Sequence, residues 1–76
     1  MEDLIRIMIK ALVDFPDDVV VQKIGSNSIA VYEIKVAKAD MGKVVGKRGR
    51  NADALRTIVS AASAKHRQRS ILEILE

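Results

Sequence analysis

"VVGKRGRN", residues 44–51, sets two glycines three positions apart around a lysine and an arginine, directly after two valines. Such a stretch is either a solvated turn between helices or a cradle for an anionic backbone. The glycine spacing alone decides nothing: at average glycine usage a G-x-x-G arises by chance in roughly a third of chains this long. The neighbours carry the decision. Upstream, "AKADMGKVV" reads as about two turns of helix, with Asp40 near its start and Met41, Val44 and Val45 as apolar contacts. Downstream, a longer helix opens at Asn51. Its apolar stripe is Ala52, Leu55, Ile58 or Val59, and Ala62; Asp53 favours its N-terminus, and Lys65, His66 and Arg67 fall where cations favour a C-terminus.

The stretch therefore joins two helices, and the second begins immediately after it. A helix N-terminus offers backbone N–H groups without intrahelical partners and a partial positive charge, so it attracts anions. Gly46 and Gly49 allow backbone angles that other residues avoid and leave no side chain in the way of a close approach. Lys47 and Arg48 between them can add charge-assisted contacts to phosphate oxygens. A plain turn with glycine as a C-cap explains Gly46, but it explains Gly49 and the two cations poorly. The context predicts a grip on a phosphate backbone. No G-x-x-x-x-G-K-[ST] or G-x-G-x-x-G is present, so neither the Walker loop nor the dinucleotide fingerprint applies.

Working outward, Leu4, Ile5, Met8, Ile9 and Leu12 recur at helical spacing behind Glu2 and Asp3, with Ile7 off the stripe. This helix should stop near Asp14, since Phe15 precedes Pro16 and is pushed out of the α region. A β-branched run from Val19 through Val21 to Ile24 follows, then "GSNS", a turn in which Gly25 and Asn27 tolerate unusual angles. Ala30, Tyr32, Ile34 and Val36 then alternate with Ile29, Val31, Glu33 and Lys35, a strand with one buried face, and the short turn predicts an antiparallel hairpin. The last segment, "RSILEILE", suits a helix or a strand. Two strands in so small a chain want a third, and strand is the reading adopted. The order becomes α-β-β-α-α-β, an α+β domain with helices on one face of a three-stranded sheet.

Composition narrows the classes. The 76 residues make one small domain, 1–76, with 49% hydrophobic and 30% charged residues, ordinary for a globular chain. The absence of cysteine removes disulfides and thiolate chemistry and fits a reducing compartment. The N-terminal "MEDLIRIMIK" begins acidic and is interrupted by Arg6 and Lys10, unlike a signal peptide, so a soluble cytoplasmic protein without membrane insertion is expected. The net charge of +3 is concentrated: Lys43, Lys47, Arg48, Arg50 and Arg56 stand against Asp53 alone in residues 41–56. A second basic cluster, Lys65, Arg67 and Arg69, lies near the end of the sequence given. Two clusters on an otherwise near-neutral chain point to a polyanionic partner.

With "GKVVGKRGR" between paired helices in the order α-β-β-α-α-β, the chain resembles a type II KH domain, whose GXXG loop clamps single-stranded nucleic acid. "FPDDV", "DMGKVVGKRGRNADALRTIVSAA" and the short C-terminal strand resemble the small bacterial single-KH RNA-binding proteins of the KhpA kind. The resemblance implies a mixed three-stranded sheet and no catalytic activity. It makes Gly46, Lys47, Arg48 and Gly49 the backbone clamp, flanked by Lys43 and Arg50. It makes Val44, Val45, Ala52 and Leu55 the apolar floor under the bases, and the "KHRQRS" loop, with Arg67 and Arg69, the other wall. Family members often carry a large aliphatic where Ala52 stands, so a shallower floor is expected here.

The resemblance further implies single-stranded RNA as ligand, about four nucleotides at a time; single-stranded DNA stays an alternative, because these contacts do not read a 2′-hydroxyl. It implies pairing, as a homodimer or with a larger KH-containing RNA-binding protein, and a role as RNA chaperone or post-transcriptional regulator linked to cell elongation and envelope maintenance. Ile7 and Ile29 are the expected partner-facing apolar residues. Tyr32 reads as core, Phe15 as a lid on the first helix, and His66 as a helix-end cation; without a second metal ligand at matching spacing, no metal or cofactor is expected. A KH-fold protein-interaction module is the competing reading. A phosphate-handling enzyme ranks last, because no nucleophile–base pair is present.

Overall fold

The computed structural model describes residues 1–26 and 28–75. Helix α1 (Glu2–Leu12) leads through a short 3₁₀ turn at Pro16–Asp18 to strands β1 (Val20–Gly25) and β2 (Ile29–Lys35). A second 3₁₀ turn, Lys38–Asp40, precedes helix α2 (Met41–Val45). After a tight turn at Lys47–Gly49 come helix α3 (Arg50–Ala64) and strand β3 (Arg69–Leu75). The chain is thus α-β-β-α-α-β, as expected. The sheet order is β1-β2-β3, with β1–β2 antiparallel and β2–β3 parallel, which makes it mixed.

Strand β2 is central, and its alternation builds the core. Ala30, Tyr32 and Ile34, with Val36 beyond, are all buried, and Val21 and Leu72 join them from the flanking strands. Ile5 and Ile9 of α1, Val44 of α2, and Leu55 and Val59 of α3 close over this face. The helices therefore share one side of the sheet. Among the described residues, no helix is long and apolar enough to cross a membrane.

Several expectations are refined. Helix α1 ends at Leu12 rather than Asp14, with Val13 already extended (φ −103°, ψ 159°). The predicted two-turn helix splits into a 3₁₀ turn and the five-residue α2. On α3 the phase selects Val59 over Ile58: Val59 is four residues from Leu55 and buried, Ile58 faces solvent, and the stripe continues to Ser63. Phe15 leaves about half its surface in solvent and does not act as a lid. Gly25 takes φ +113° at the hairpin turn; the reading of Asn27 lies outside the described residues.

Candidate nucleic-acid interface

The two glycines bracket a tip whose backbone is set by sterics on one side and left open on the other. Gly46 takes φ 76°, ψ 173°, a region essentially reserved for glycine. A Cβ there would stand 2.7 Å from Cγ of Asn51 and 2.8 Å from its backbone nitrogen. Gly49 takes φ 75°, ψ 12°, yet a Cβ on it would meet nothing within 4 Å. Gly46 is required by packing inside the fold, whereas Gly49 faces open space.

Between them, Arg48 is left-handed (φ 59°, ψ 28°), a strained choice for an arginine. A helical Lys47 followed by a left-handed Arg48 is the αR–αL sequence that turns successive N–H groups into a concave anion-binding nest. The N–H of Gly46 donates to the Gly42 carbonyl (2.8 Å), that of Gly49 to the Gly46 carbonyl (3.1 Å), and that of Arg50 to the Lys47 carbonyl. Among the described residues, the N–H groups of Lys47 and Arg48 take no backbone partner. The side chains of Lys47, Arg48 and Arg50 are exposed and make no ion pair among those residues. Among the described residues, the tip thus brings donors without a backbone partner and cations without an ion pair together.

Behind the tip, Asn51 Nδ2 donates to the carbonyl of Lys43 at 2.7 Å, tying the start of α3 to the last turn of α2. Lys43, expected to flank the clamp, thus also holds the base of the tip through its backbone. Its ammonium donates to Asp14 and lies 3.6 Å from Asp40 Oδ1. The hydrogen bond to Asp14, ahead of the surrounding negative charge, raises its pKa. Asp40 is fully buried, and its two oxygens accept the backbone N–H groups of Asp14 (3.1 Å) and Phe15 (3.0 Å). Burial pushes its pKa up, but the two backbone donors and Lys43 together outweigh it and hold the carboxyl below its ordinary value. An isolated aspartate at a helix start gave no sign of this; its partners lie 25 and 26 residues away.

The residues expected as the apolar floor lie mostly below the surface. Val44, Ala52 and Leu55 are buried, and Val44 and Leu55 belong to the core cluster, so they support the surface from below. Val45 is half-buried. An open groove of about 460 Å³ lies between α3 and β3, lined by Arg56, Val59 and Ser60 from α3 and by Gln68 to Leu72. Ala52, Arg56 and Ser60 follow at four-residue steps, one row of the helix surface, so the row runs from the tip into the groove. Arg56 also lies 3.5 Å from Asp53. Of these groove residues the sequence offers Arg69 and the loop around it as one wall; Arg56, Ser60 and Ile71 it does not, because they come together only when β3 docks beside α3.

The two distal arginines part company. Arg69 opens β3 and lines the groove. Arg67 does not line it. The Gln68 N–H bonds the Ser63 carbonyl and the Arg67 N–H the Ala64 carbonyl, each at 3.1 Å, with Arg67 left-handed at φ 53°. This is a Schellman closure of α3 in which arginine occupies the position glycine usually holds. Both arginines are at the far end of a 15-residue helix, about 22 Å from the tip. The exposed His66 lies in the same turn, and no metal-ligand cluster of three or more acids, histidines or cysteines occurs among the described residues.

Known proteins resemble this chain along its whole length. The family model for the KhpA/KhpB KH domain matches residues 2–74. A protein of Caldanaerobacter subterraneus subsp. tengcongensis named RNA-binding protein KhpA is 49% identical over 75 residues, covering 99% of this chain and 100% of the relative. Proteins of the same name from Listeria monocytogenes (45% identical over 76 residues, 100% of both chains) and Chlamydia caviae (37% over 76 residues, 100% of this chain and 97% of the relative) are similar along their whole length. These names describe binding rather than a reaction. No solved structure matches. With the α-β-β-α-α-β order, the GKRG tip and the full-length similarity all in place, the chain belongs to the KhpA/KhpB family of KH domains and is not an enzyme.

Proposed function

We propose that the chain works as a single KH domain, residues 1–76, that binds short single-stranded RNA in the cytoplasm. Backbone phosphates sit on the Lys47–Arg48 nest with Lys47, Arg48 and Arg50 around them, and Gly49 leaves room for close approach. Bases lie along the row from Ala52 to Arg56 into the α3–β3 groove, where Arg69 stands on the far wall. The carrying observation is the tip itself: two backbone N–H groups beside exposed cations, with no backbone partner and no ion pair among the described residues. The names of the full-length relatives support RNA as the polyanion.

One small site binds weakly, and pairing with a second copy or with a larger KH-containing RNA-binding protein multiplies avidity. The family resemblance supports a role as RNA chaperone or post-transcriptional regulator, with an effect on cell elongation and the envelope. The deciding experiment measures a single-stranded RNA pool across a salt series, with native protein and with the Lys47→Asp plus Arg48→Asp variant. Aspartate tolerates the left-handed position, so the fold survives the change. Native affinity should fall with salt, and the variant should lose at least about tenfold, since it replaces two cations with two anions at a phosphate contact. Equal binding by the variant overturns the clamp. A second reading, a protein-interaction module with incidental nucleic-acid binding, draws on the uncovered apolar sheet face and predicts that equality.

A further inference from the structure

Asp40 joins two distant parts of the chain. Its buried carboxylate accepts the backbone N–H groups of Asp14 and Phe15, which pins the segment after α1 to the start of α2. One turn along α2, the Lys43 ammonium reaches back to Asp14 and lies 3.6 Å from Asp40. Lys43 is thereby attached twice: its side chain holds Asp14, and its carbonyl accepts Asn51 Nδ2 at the base of the tip. The carbonyl of Gly42 beside it accepts the Gly46 N–H.

Helix α2 is only five residues long, too short to keep its place by its own hydrogen bonds. Val44 fixes it from the core side, and the Asp14–Asp40–Lys43 cluster fixes it from the other. The tip needs such a frame. The left-handed Arg48 and the glycine-only angles of Gly46 persist only where the surroundings over-determine them. The cluster also has the wrong sign to act by attraction: two carboxylates against one ammonium are net negative, close behind a cationic tip. That charge opposes the approach of a polyanion. Geometry is what the cluster offers the site.

We propose that Asp14 and Lys43 are positioning residues for the RNA-binding tip. Their ion pair, anchored by Asp40, fixes the last turn of α2 and through it the Lys47–Arg48 nest, without touching RNA. The inference rests on the RNA-binding function proposed above. Attraction and positioning predict different signs. Attraction alone makes Asp14→Ala strengthen RNA binding, since an anion is removed, and makes Lys43→Met weaken it. Positioning makes both weaken it, because either change opens the same link.

Titration of a single-stranded RNA pool across a salt series tests it. The proteins are the native chain, Asp14→Ala, Lys43→Met, the two combined, and the Lys47→Asp plus Arg48→Asp variant. The Asp14 side chain is largely exposed, and its backbone N–H to Asp40 survives the change, so Asp14→Ala folds; circular dichroism at the titration temperature checks every variant. Each single variant should lose about threefold to tenfold in affinity, with the slope of log K against log salt unchanged. The combined variant should lose no more than the larger single loss, since one link is broken once. A role confined to stability would leave the affinity of the folded protein unmoved.

Asp14→Ala that binds as well as the native chain, or better, overturns the proposal. So does a slope lowered by about 0.7 in Lys43→Met, which would place Lys43 on a phosphate. Losses that add in the combined variant overturn the shared link. Native-like binding by the Lys47→Asp plus Arg48→Asp variant overturns the clamp and this inference with it, whereas loss there beside a native-like Asp14→Ala overturns the inference alone.

Discussion

Asn51 closes over Gly46 so tightly that its backbone nitrogen, as well as its side chain, lies within 2.8 Å of where a Cβ at Gly46 would stand. Gly46→Ala therefore suffers both the glycine-only backbone angles and a collision, and should cost about 2–3 kcal/mol in urea unfolding. Adding Asn51→Ala should not rescue it, because the backbone nitrogen remains. Gly49→Ala meets open space and carries only the left-handed strain, about 1–2 kcal/mol. Equal losses at the two glycines would contradict this division of labour.

Arg67 occupies the left-handed slot of the α3 Schellman closure at φ 53°. Arg67→Gly should remove that strain and raise stability by about 0.5–1 kcal/mol. RNA affinity should change little, because Arg67 does not line the groove. A thermal melt and one titration check both halves.

The Asp40 carboxyl is held below its ordinary pKa in the fold. Stability from a depressed carboxylate is fully present above the unfolded value near 3.8 and is lost as pH falls through the lower folded value. Lys43 runs the other way: its raised pKa gives stability that is full below about 10.5 and lost as pH climbs past the folded value. The pH profile of the unfolding midpoint should show an acid-side loss that shrinks in Asp40→Asn. That variant should also be less stable than Asp14→Asn at neutral pH, because only Asp40 holds two backbone donors. An unchanged acid limb in Asp40→Asn would assign the loss to other carboxylates.

Arg56 stands in the groove on the row that begins near the tip. If a phosphate passes it, Arg56→Ala should reduce the slope of log K against log salt for single-stranded RNA by about 0.7. Loss of affinity at constant slope would point to stacking on a base instead.

What the sequence revealed depended on how local each signal was. The alternation of Ala30, Tyr32, Ile34 and Val36 is visible within one strand, and it located the buried face correctly. The choice between Ile58 and Val59 needed the phase of α3 against Leu55, which only packing decides. The bond from Lys43 to Asp14 could not be read from spacing, because the two are 29 residues apart. Arg56 and Ile71 belong to separate elements, and no spacing rule links them before α3 and β3 pack. The tip was legible because glycines and cations stood together within four residues.

The parallel pairing of β2 with β3 has a bearing on assembly. Parallel strands need a long crossover, and here residues 36–68 provide it, with the GKRG tip inside. The antiparallel β1–β2 hairpin and the α3–β3 unit each join near neighbours in the chain, whereas β2–β3 pairing must close the whole intervening loop and bear its entropy. The tip and both groove walls lie in that later half, so the hairpin alone creates neither of them. The α3–β3 groove is therefore complete only once β3 has joined β2, whereas the tip, held by contacts among residues 42–51, does not wait for that pairing.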